Sequence, residues 1–202
     1  IPSGLEISKG YIDVQLKRRQ MGHGRGGRMK IENDAVEIWS GVRDGKTIAS
    51  PIGLIVKNKD WENWKNKMSV EKMEKTPRKV TLPRPGHADL AGVEKYGFDD
   101  IRNVLERSSA RETTMRVALA SVCRKLLRDI GIHVASRVVQ IHDIVDSSSI
   151  PSNLKIQKLN QLVDKSPVRC LNGNIEKEMI QVIDHAKSQG DSVGGVFEIF
   201  AT

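Results

Sequence analysis

The sequence predicts an α+β fold built as one domain. Some segments repeat apolar residues at helical spacing and others form short apolar runs, and the two kinds do not alternate as regular strand–helix–strand units. The chain of 202 residues is long enough to bury one hydrophobic core. We therefore expect residues 1–202 to form a single domain.

The first 80 residues predict a helix followed by an antiparallel meander. Residues 8–20 place Ile12 and Leu16 one helical turn apart and end on three cations, which suit the C-terminal end of a helix dipole. Three apolar runs are typical of strands: residues 29–31, 36–42 and 52–56. Arg-Asp-Gly-Lys at residues 43–46 predicts a hairpin turn between the last two strands, and the polar, Lys-rich residues 57–80 predict a surface excursion.

One long predicted helix, residues 109–130, dominates the second part of the chain. Ser109 stands three residues before Glu112, the spacing of a capping box, and Gly131 is a helix stop signal. The apolar residues recur at intervals of three and four positions: Met115, Leu119, Val122, Leu126 and Ile130. A strand, two helices and a last strand are predicted to follow, over residues 132–141, 152–163, 174–189 and 196–201.

Charge and cysteine content narrow the classes of function. The 33 Lys and Arg against 25 Asp and Glu give a formal net charge of +8, which attracts anions such as nucleic acid, a membrane surface or a small polyanion. No stretch approaches the roughly 18 to 20 apolar residues that a membrane helix needs. Cys123 and Cys170 form no CxxC motif of the kind found in zinc and redox sites. We expect a cytoplasmic protein with no metal and no membrane partner.

The densest cationic segment is residues 17–30, which carries six Lys and Arg side chains, four glycines and no acid. Arginine forks pair with phosphate and carboxylate, and glycines let backbone N–H groups approach an anion closely. Composition leaves three interpretations of this segment equally open: a cradle for a small anion, an RGG-like tract that binds RNA, and a solvated basic loop.

Two further segments combine charge with a candidate chemical group. His87 lies between a Pro-Gly turn and Asp89, whose carboxylate could set its tautomer for proton transfer, although a structural role is the more common one for such a histidine. Arg107 and Arg111 flank the start of the long predicted helix, where cations are unfavourable unless an anion is bound. A capping box with solvated arginines is the alternative explanation.

Five segments of the sequence, taken in order, resemble chorismate synthases. They are residues 17–29 (KRRQMGHGRGGRM), 84–89 (RPGHAD), 96–102 (YGFDDIR), 106–113 (ERSSARET) and 190–195 (GDSVGG). Each segment is weak evidence alone, but five in the same order over nearly the whole chain are specific.

The resemblance implies a carbon–oxygen lyase that converts 5-enolpyruvylshikimate 3-phosphate into chorismate and phosphate by anti-1,4-elimination, the last step of the shikimate pathway. It implies reduced FMN, which lends electron density as phosphate departs and recovers it as the C–H bond breaks. It also implies a β-α-β sandwich, with helices between antiparallel sheets, that assembles as a homotetramer and binds no nucleic acid. Whether the flavin reductase, an NADP-linked activity, is built in or external stays open.

The resemblance also assigns site residues position by position. Four arginines match residues that hold the phosphate and carboxylates of the substrate: Arg19, Arg25, Arg28 and Arg111. Three residues match positions that contact or support the flavin: Arg84, Ser109 and Arg107. His87 matches the histidine placed to protonate reduced flavin, and Glu112 matches a motif residue that we expect to support these contacts. His23 stands where many relatives have Tyr, so its role stays open.

The sequence departs from the family at both ends and corresponds to its N-terminal half. The family begins earlier, with a Gly-Glu-Ser-His-Gly segment whose histidine serves as a second acid, and continues past Thr202 into a half that completes the flavin pocket and supplies an aspartate. We therefore expect the 202-residue chain alone to be inactive. Two alternatives remain: a noncatalytic fragment of the enzyme, and a basic RNA-binding module, against which the lack of aromatic residues within the basic segments counts.

Overall fold

The structure is a computed structural model that describes residues 1–25, 33–75 and 77–202. The helices are α1 (Lys9–Gln20), α2 (Asp89–Tyr96), α3 (Arg102–Arg107), α4 (Ala110–Asp129), α5 (Ile156–Val163) and α6 (Gly173–Ser188). The strands are β1 (Val36–Ile38), β2 (Val42–Arg43), β3 (Lys46–Thr47), β4 (Leu54–Val56), β5 (Val134–Ile141), β6 (Ile144–Val145) and β7 (Gly195–Ala201), and a 3₁₀ helix covers Lys59–Asn63. Helices combined with small antiparallel sheets confirm the predicted α+β class.

The main core lies between α1, α4 and the β1–β4 pair. Ile12 and Leu16 of α1 are fully buried, as their spacing predicts, in one cluster with Ala118 and Val122 of α4. The guanidinium of Arg128, near the end of α4, lies 5.4 Å from the ring centre of Tyr11, near the start of α1. The two helices are therefore antiparallel, and the C-terminal turn of α1 lies beside the first turn of α4.

The start and end of α4 follow the predicted signals in part. The Ser109 hydroxyl accepts a hydrogen bond from the backbone N–H of Arg111 at 3.1 Å, and Gly131 has a left-handed φ of +87° that ends the helix. The Glu112 carboxylate accepts from Arg116 at 2.7 Å, one turn further along the helix. Only half of the predicted capping box therefore forms.

The buried face of α4 differs from the predicted apolar stripe. Val122 is buried, whereas Leu119 and Ile130 are exposed. Thr114 and Ala118 are fully buried in their place. The apolar spacing predicts that these residues form a helix, but it does not predict which face of the helix is buried. The face with the smaller side chains is buried because it allows the close approach of α1.

The predicted strand over residues 36–42 is divided into two strands. The chain turns at Gly41, whose φ is +80° and whose added Cβ would come within 2.6 Å of the Pro51 carbonyl oxygen. β1 pairs with β4, so that Val36 faces Val56. The predicted strand over residues 29–31 lies outside the described residues.

The predicted hairpin turn is confirmed, but its second strand is β3 and not residues 52–56. Asp44 and Gly45 have φ values of +49° and +70°, the positive angles that a type I′ turn needs at both central positions. A two-residue turn pairs the residues that directly flank it, so β2 pairs with β3 over two positions. The later strand is left free to pair with β1.

The C-terminal elements form a three-stranded sheet with helices packed beside it. The strand order is β6-β5-β7, antiparallel throughout. β5, α5, α6 and β7 confirm the four predicted elements, although α5 starts at Ile156 because residues 151–154 form a turn. No helix among the described residues has the length and apolar character to cross a membrane, and within the same residues no group of His, Cys, Asp and Glu could hold a metal ion.

Candidate anion-binding site

Two of the arginines predicted to bind an anion converge on one buried carboxylate, that of Asp34. Arg19 donates from Nη1 to Asp34 Oδ2 at 3.3 Å, and Arg111 donates from Nη1 to Oδ1 in a short contact. The Asp34 side chain is only 1% exposed. The structure thus places a carboxylate of the protein itself between two predicted cationic ligands, a contact that the sequence did not indicate.

Local structure explains this convergence. Arg19 lies in the last turn of α1 and Arg111 in the first turn of α4, and the antiparallel packing of the two helices brings these turns together. Asp34 comes two residues before β1. Cations suit the negative end of α1, and the Asp34 carboxylate suits the positive end of α4 and offsets the unfavourable position of Arg111 there.

Arg25 extends the cationic surface beyond α1. Its Nε donates to the Met21 carbonyl oxygen at 3.2 Å. Burial lowers the pKa of the Arg25 guanidinium, and the positive charge of Arg19 lowers it further. Both arginines line a cavity of about 360 Å³ between α1, α4 and β5. Arg28 lies outside the described residues, so its predicted role in the same site stays a prediction.

A second ionic network borders this cavity. Arg18 donates to both carboxylate oxygens of Asp164, at 2.7 and 3.2 Å, and Arg169 contacts the same carboxylate. Burial, followed by the charges of Arg18 and Arg124, lowers the pKa of Arg169 to about 10. Sequence reasoning missed this network because its two halves lie 146 residues apart. This network links the C-terminal end of α1, and therefore the backbone of Arg19, to the turn after α5.

Arg84 and His87 lie just before α2. Arg84 binds the carboxylate of Asp89, the first residue of this helix. Arg84 donates to Asp89 from its backbone N–H at 2.9 Å, from Nε at 2.9 Å and from Nη2 at 3.0 Å. These bonds lower the pKa of the buried Asp89 carboxyl to about 2, against the opposing effect of burial. The ring of His87 is exposed. The carboxylate expected to set the tautomer of His87 therefore binds Arg84.

The two remaining predicted residues lie on either side of the α3–α4 junction. Arg107 stacks over the ring of Tyr96 at 4.5 Å and donates from Nη2 to its hydroxyl at 3.1 Å, while Ser109 caps α4. Tyr96 ends α2, an eight-residue helix about 12 Å long. The structure therefore places Arg107 at the opposite end of α2 from His87.

The comparisons with known proteins agree on one family. The sequence matches the family described as chorismate synthase over residues 1–202. It is 50% identical to chorismate synthase 2 of Bacillus cereus (strain ATCC 10987 / NRS 248) over 206 aligned residues, covering 100% of this chain and 52% of that protein. It is 52% identical to the chorismate synthase of Enterococcus faecalis (strain ATCC 700802 / V583) over 202 residues, covering 98% of this chain and 52% of that protein.

The fold is shared with a solved structure described as "Crystal Structure of Chorismate Synthase". The TM-score is 0.74 at 36% sequence identity, and the match covers 100% of this chain and 51% of the other. The chain thus spans about half the length of the curated relatives that it matches.

Proposed function

Because this chain belongs to the chorismate synthase family, we propose that the full-length protein is a chorismate synthase that eliminates phosphate from 5-enolpyruvylshikimate 3-phosphate with reduced FMN. The convergence of Arg19 and Arg111 on one buried carboxylate, with Arg25 electrostatically coupled to Arg19, carries the proposal. A cytoplasmic homotetramer with no nucleic-acid partner is part of the same proposal.

The arginines bind the substrate through charge and orientation. Among the described residues, Arg19, Arg25 and Arg111 bring three positive charges close to the single negative charge of Asp34. The substrate brings a phosphate and two carboxylates. Charge-assisted hydrogen bonds from guanidinium groups are strong in a partly buried site, where water screens them less than in bulk solution.

The same cations assist the bond-breaking step. The C–O bond to phosphate breaks with its electron pair on the leaving oxygen, and a C–H bond at the other end of the allylic system loses its proton. Guanidinium donors fixed in place before the reaction stabilise the charge that develops on the phosphate, and no solvent has to reorganise. We assign this stabilisation to Arg19, Arg25, Arg28 and Arg111.

The described residues fit a flavin phosphate in their donor chemistry. Arg84 is 49% exposed although Asp89 fixes it, and Arg107 is exposed although Tyr96 orients it. The Ser109 hydroxyl accepts a backbone N–H, so its own hydrogen can donate to an anion at the start of α4. When bound, reduced FMN supplies the electron density that the elimination needs. We propose that these three residues hold it and that His87 carries the proton for it on a ring nitrogen.

Anaerobic assay tests the proposal. The full-length protein with reduced FMN should convert 5-enolpyruvylshikimate 3-phosphate into equal amounts of chorismate and inorganic phosphate. A protein that binds the substrate but releases neither product under these conditions would contradict the proposed reaction. The same assay on the 202-residue chain decides the alternative of a fragment that binds but does not turn over.

A further inference from the structure

Asp34 is a carboxylate in a site whose proposed ligand is an anion. An acid beside an anion site weakens binding through charge alone, because like charges repel. Its side chain nevertheless lies 1% exposed between Arg19 and Arg111, two of the residues that the proposed function assigns to substrate. A role for Asp34 must therefore offset this electrostatic cost.

The carboxylate contacts the two arginines separately. Its Oδ2 accepts from Arg19 and its Oδ1 from Arg111, in both cases from Nη1. One planar group thus sets the distance and the relative direction of two guanidinium groups that would otherwise repel each other. The two arginines come from different helices, so no local structure could impose that geometry.

The backbone holds Asp34 in place from both sides of the core. The backbone N–H of Val36, two residues on, donates to the Asp13 carboxylate of α1 at 2.8 Å. Val36 also pairs with Val56 in the β1–β4 ladder. Because the ladder is antiparallel, Asp34 and Lys57 lie at the same end of it.

Arg111 is consequently held through both of its terminal nitrogens. Its Nη1 contacts Asp34, and its Nη2 donates to the carbonyl oxygen of Lys57 at 2.6 Å. Both acceptors are fixed by the same pair of strands. The guanidinium plane of Arg111 is therefore oriented before any ligand arrives.

We propose that Asp34 is the positioning residue of the substrate site, and that it orients Arg19 and Arg111 for the phosphate or a carboxylate of the substrate without touching the substrate itself. The inference rests on the proposed function. It makes a prediction opposite in sign to that of a charge-balancing role, because loss of a negative charge alone strengthens the attraction of the site for anions.

Two substitutions in the full-length protein separate orientation from charge. Asp34→Asn removes the charge and presents an N–H₂ group toward one arginine, and Asp34→Glu keeps the charge but moves the carboxylate by one methylene. Asp146→Asn is the matched control, since Asp146 is also a buried aspartate, and its carboxylate accepts from the backbone N–H groups of Ser148, Leu171 and Asn172. Calorimetric titration with 5-enolpyruvylshikimate 3-phosphate and with inorganic phosphate measures affinity, steady-state assay gives kcat and KM, and thermal unfolding reports the fold.

A positioning role predicts that Asp34→Asn binds both ligands roughly tenfold to hundredfold more weakly, the range for losing a hydrogen bond to a charged group. It predicts that Asp34→Glu also binds more weakly while folding normally, and that Asp146→Asn keeps the affinity of the unsubstituted protein. Unchanged or tighter binding by Asp34→Asn overturns the inference. If Asp34→Asn does not fold, Asp34→Glu decides, and unchanged affinity in that variant overturns it.

The proposed function and this inference fail in different ways. An unsubstituted protein that binds phosphate but makes no chorismate contradicts the proposed function. The phosphate affinities of the two Asp34 variants still test the positioning role of Asp34. Turnover by the unsubstituted protein with KM and kcat unchanged in both Asp34 variants contradicts only the inference. An unsubstituted protein that binds neither ligand overturns both.

Discussion

Replacing Asp89 with Asn should destabilise the protein at neutral pH and have progressively less effect in acid. The pKa of Asp89 is lowered from 3.8 to about 2 by its hydrogen bonds to Arg84. A shift of this size corresponds to about 2 kcal/mol between folded and unfolded states, and screening of the half-exposed Arg84 by solvent reduces our expectation to about 1 kcal/mol. Because the pKa is lower in the folded state, this stabilisation is fully present above the unfolded pKa of about 3.9 and is lost as pH falls toward about 2.

Urea unfolding of both proteins across that pH range measures the effect. The difference in the free energy of unfolding should be constant from about pH 7 to about pH 5 and should shrink steadily below about pH 4. Asp99→Asn is the control, because Asp99 is an exposed carboxylate paired with Lys79 and such surface pairs contribute little. A difference between wild type and Asp89→Asn that stays the same from neutral pH to acid would refute the reasoning, since it would mean that Asp89 stabilises through packing and not through charge.

Two further predictions concern the flavin side of the site and the edge of the three-stranded β6-β5-β7 sheet. His87→Ala in the full-length protein should lower kcat by roughly 10²- to 10⁴-fold with little change in KM for the substrate, the effect of losing one acid or base, and a raised KM with unchanged kcat would assign His87 to binding instead. β7 is an edge strand on which Phe197 and Ile199 are 65% and 63% exposed, so the 202-residue chain should self-associate. Sedimentation should show less association for Ile199→Lys but not for Leu119→Lys, an exposed apolar site on α4, and equal effects would exclude the strand edge as the contact.

Local signals in the sequence predicted most of the helices and their ends. Ser8 caps α1 and Ser109 caps α4 through their hydroxyl groups, and such caps are readable because they act within three residues. The face that α4 buries and the strand that pairs with β1 depend on distant segments. Leu119 is exposed and residues 36–38 pair with residues 54–56 for reasons that no local pattern contains.

The candidate site was predictable as a set of cations but not as an arrangement. The density of arginine and glycine between residues 17 and 30 left an anion cradle as one of three open interpretations, whereas the contact of Asp34 with Arg111 spans 77 positions. Nothing distinguishes Asp34 in the sequence from the neighbouring polar residues. Asp89 binds Arg84 and not His87 because Arg84 offers two side-chain donors in one plane, and a guanidinium that donates two hydrogen bonds holds a carboxylate firmly.

The most direct test of the account is the affinity of the full-length protein for 5-enolpyruvylshikimate 3-phosphate when single arginines are replaced. Arg111→Ala and Arg28→Ala should each weaken binding by about 1.5 to 3 kcal/mol, the range for a hydrogen bond between charged groups. Arg43→Ala removes the same charge from the exposed β2–β3 turn and should leave the affinity nearly unchanged. Equal losses in all three variants would contradict the account, because they would mean that net charge attracts the substrate and that no defined site holds it.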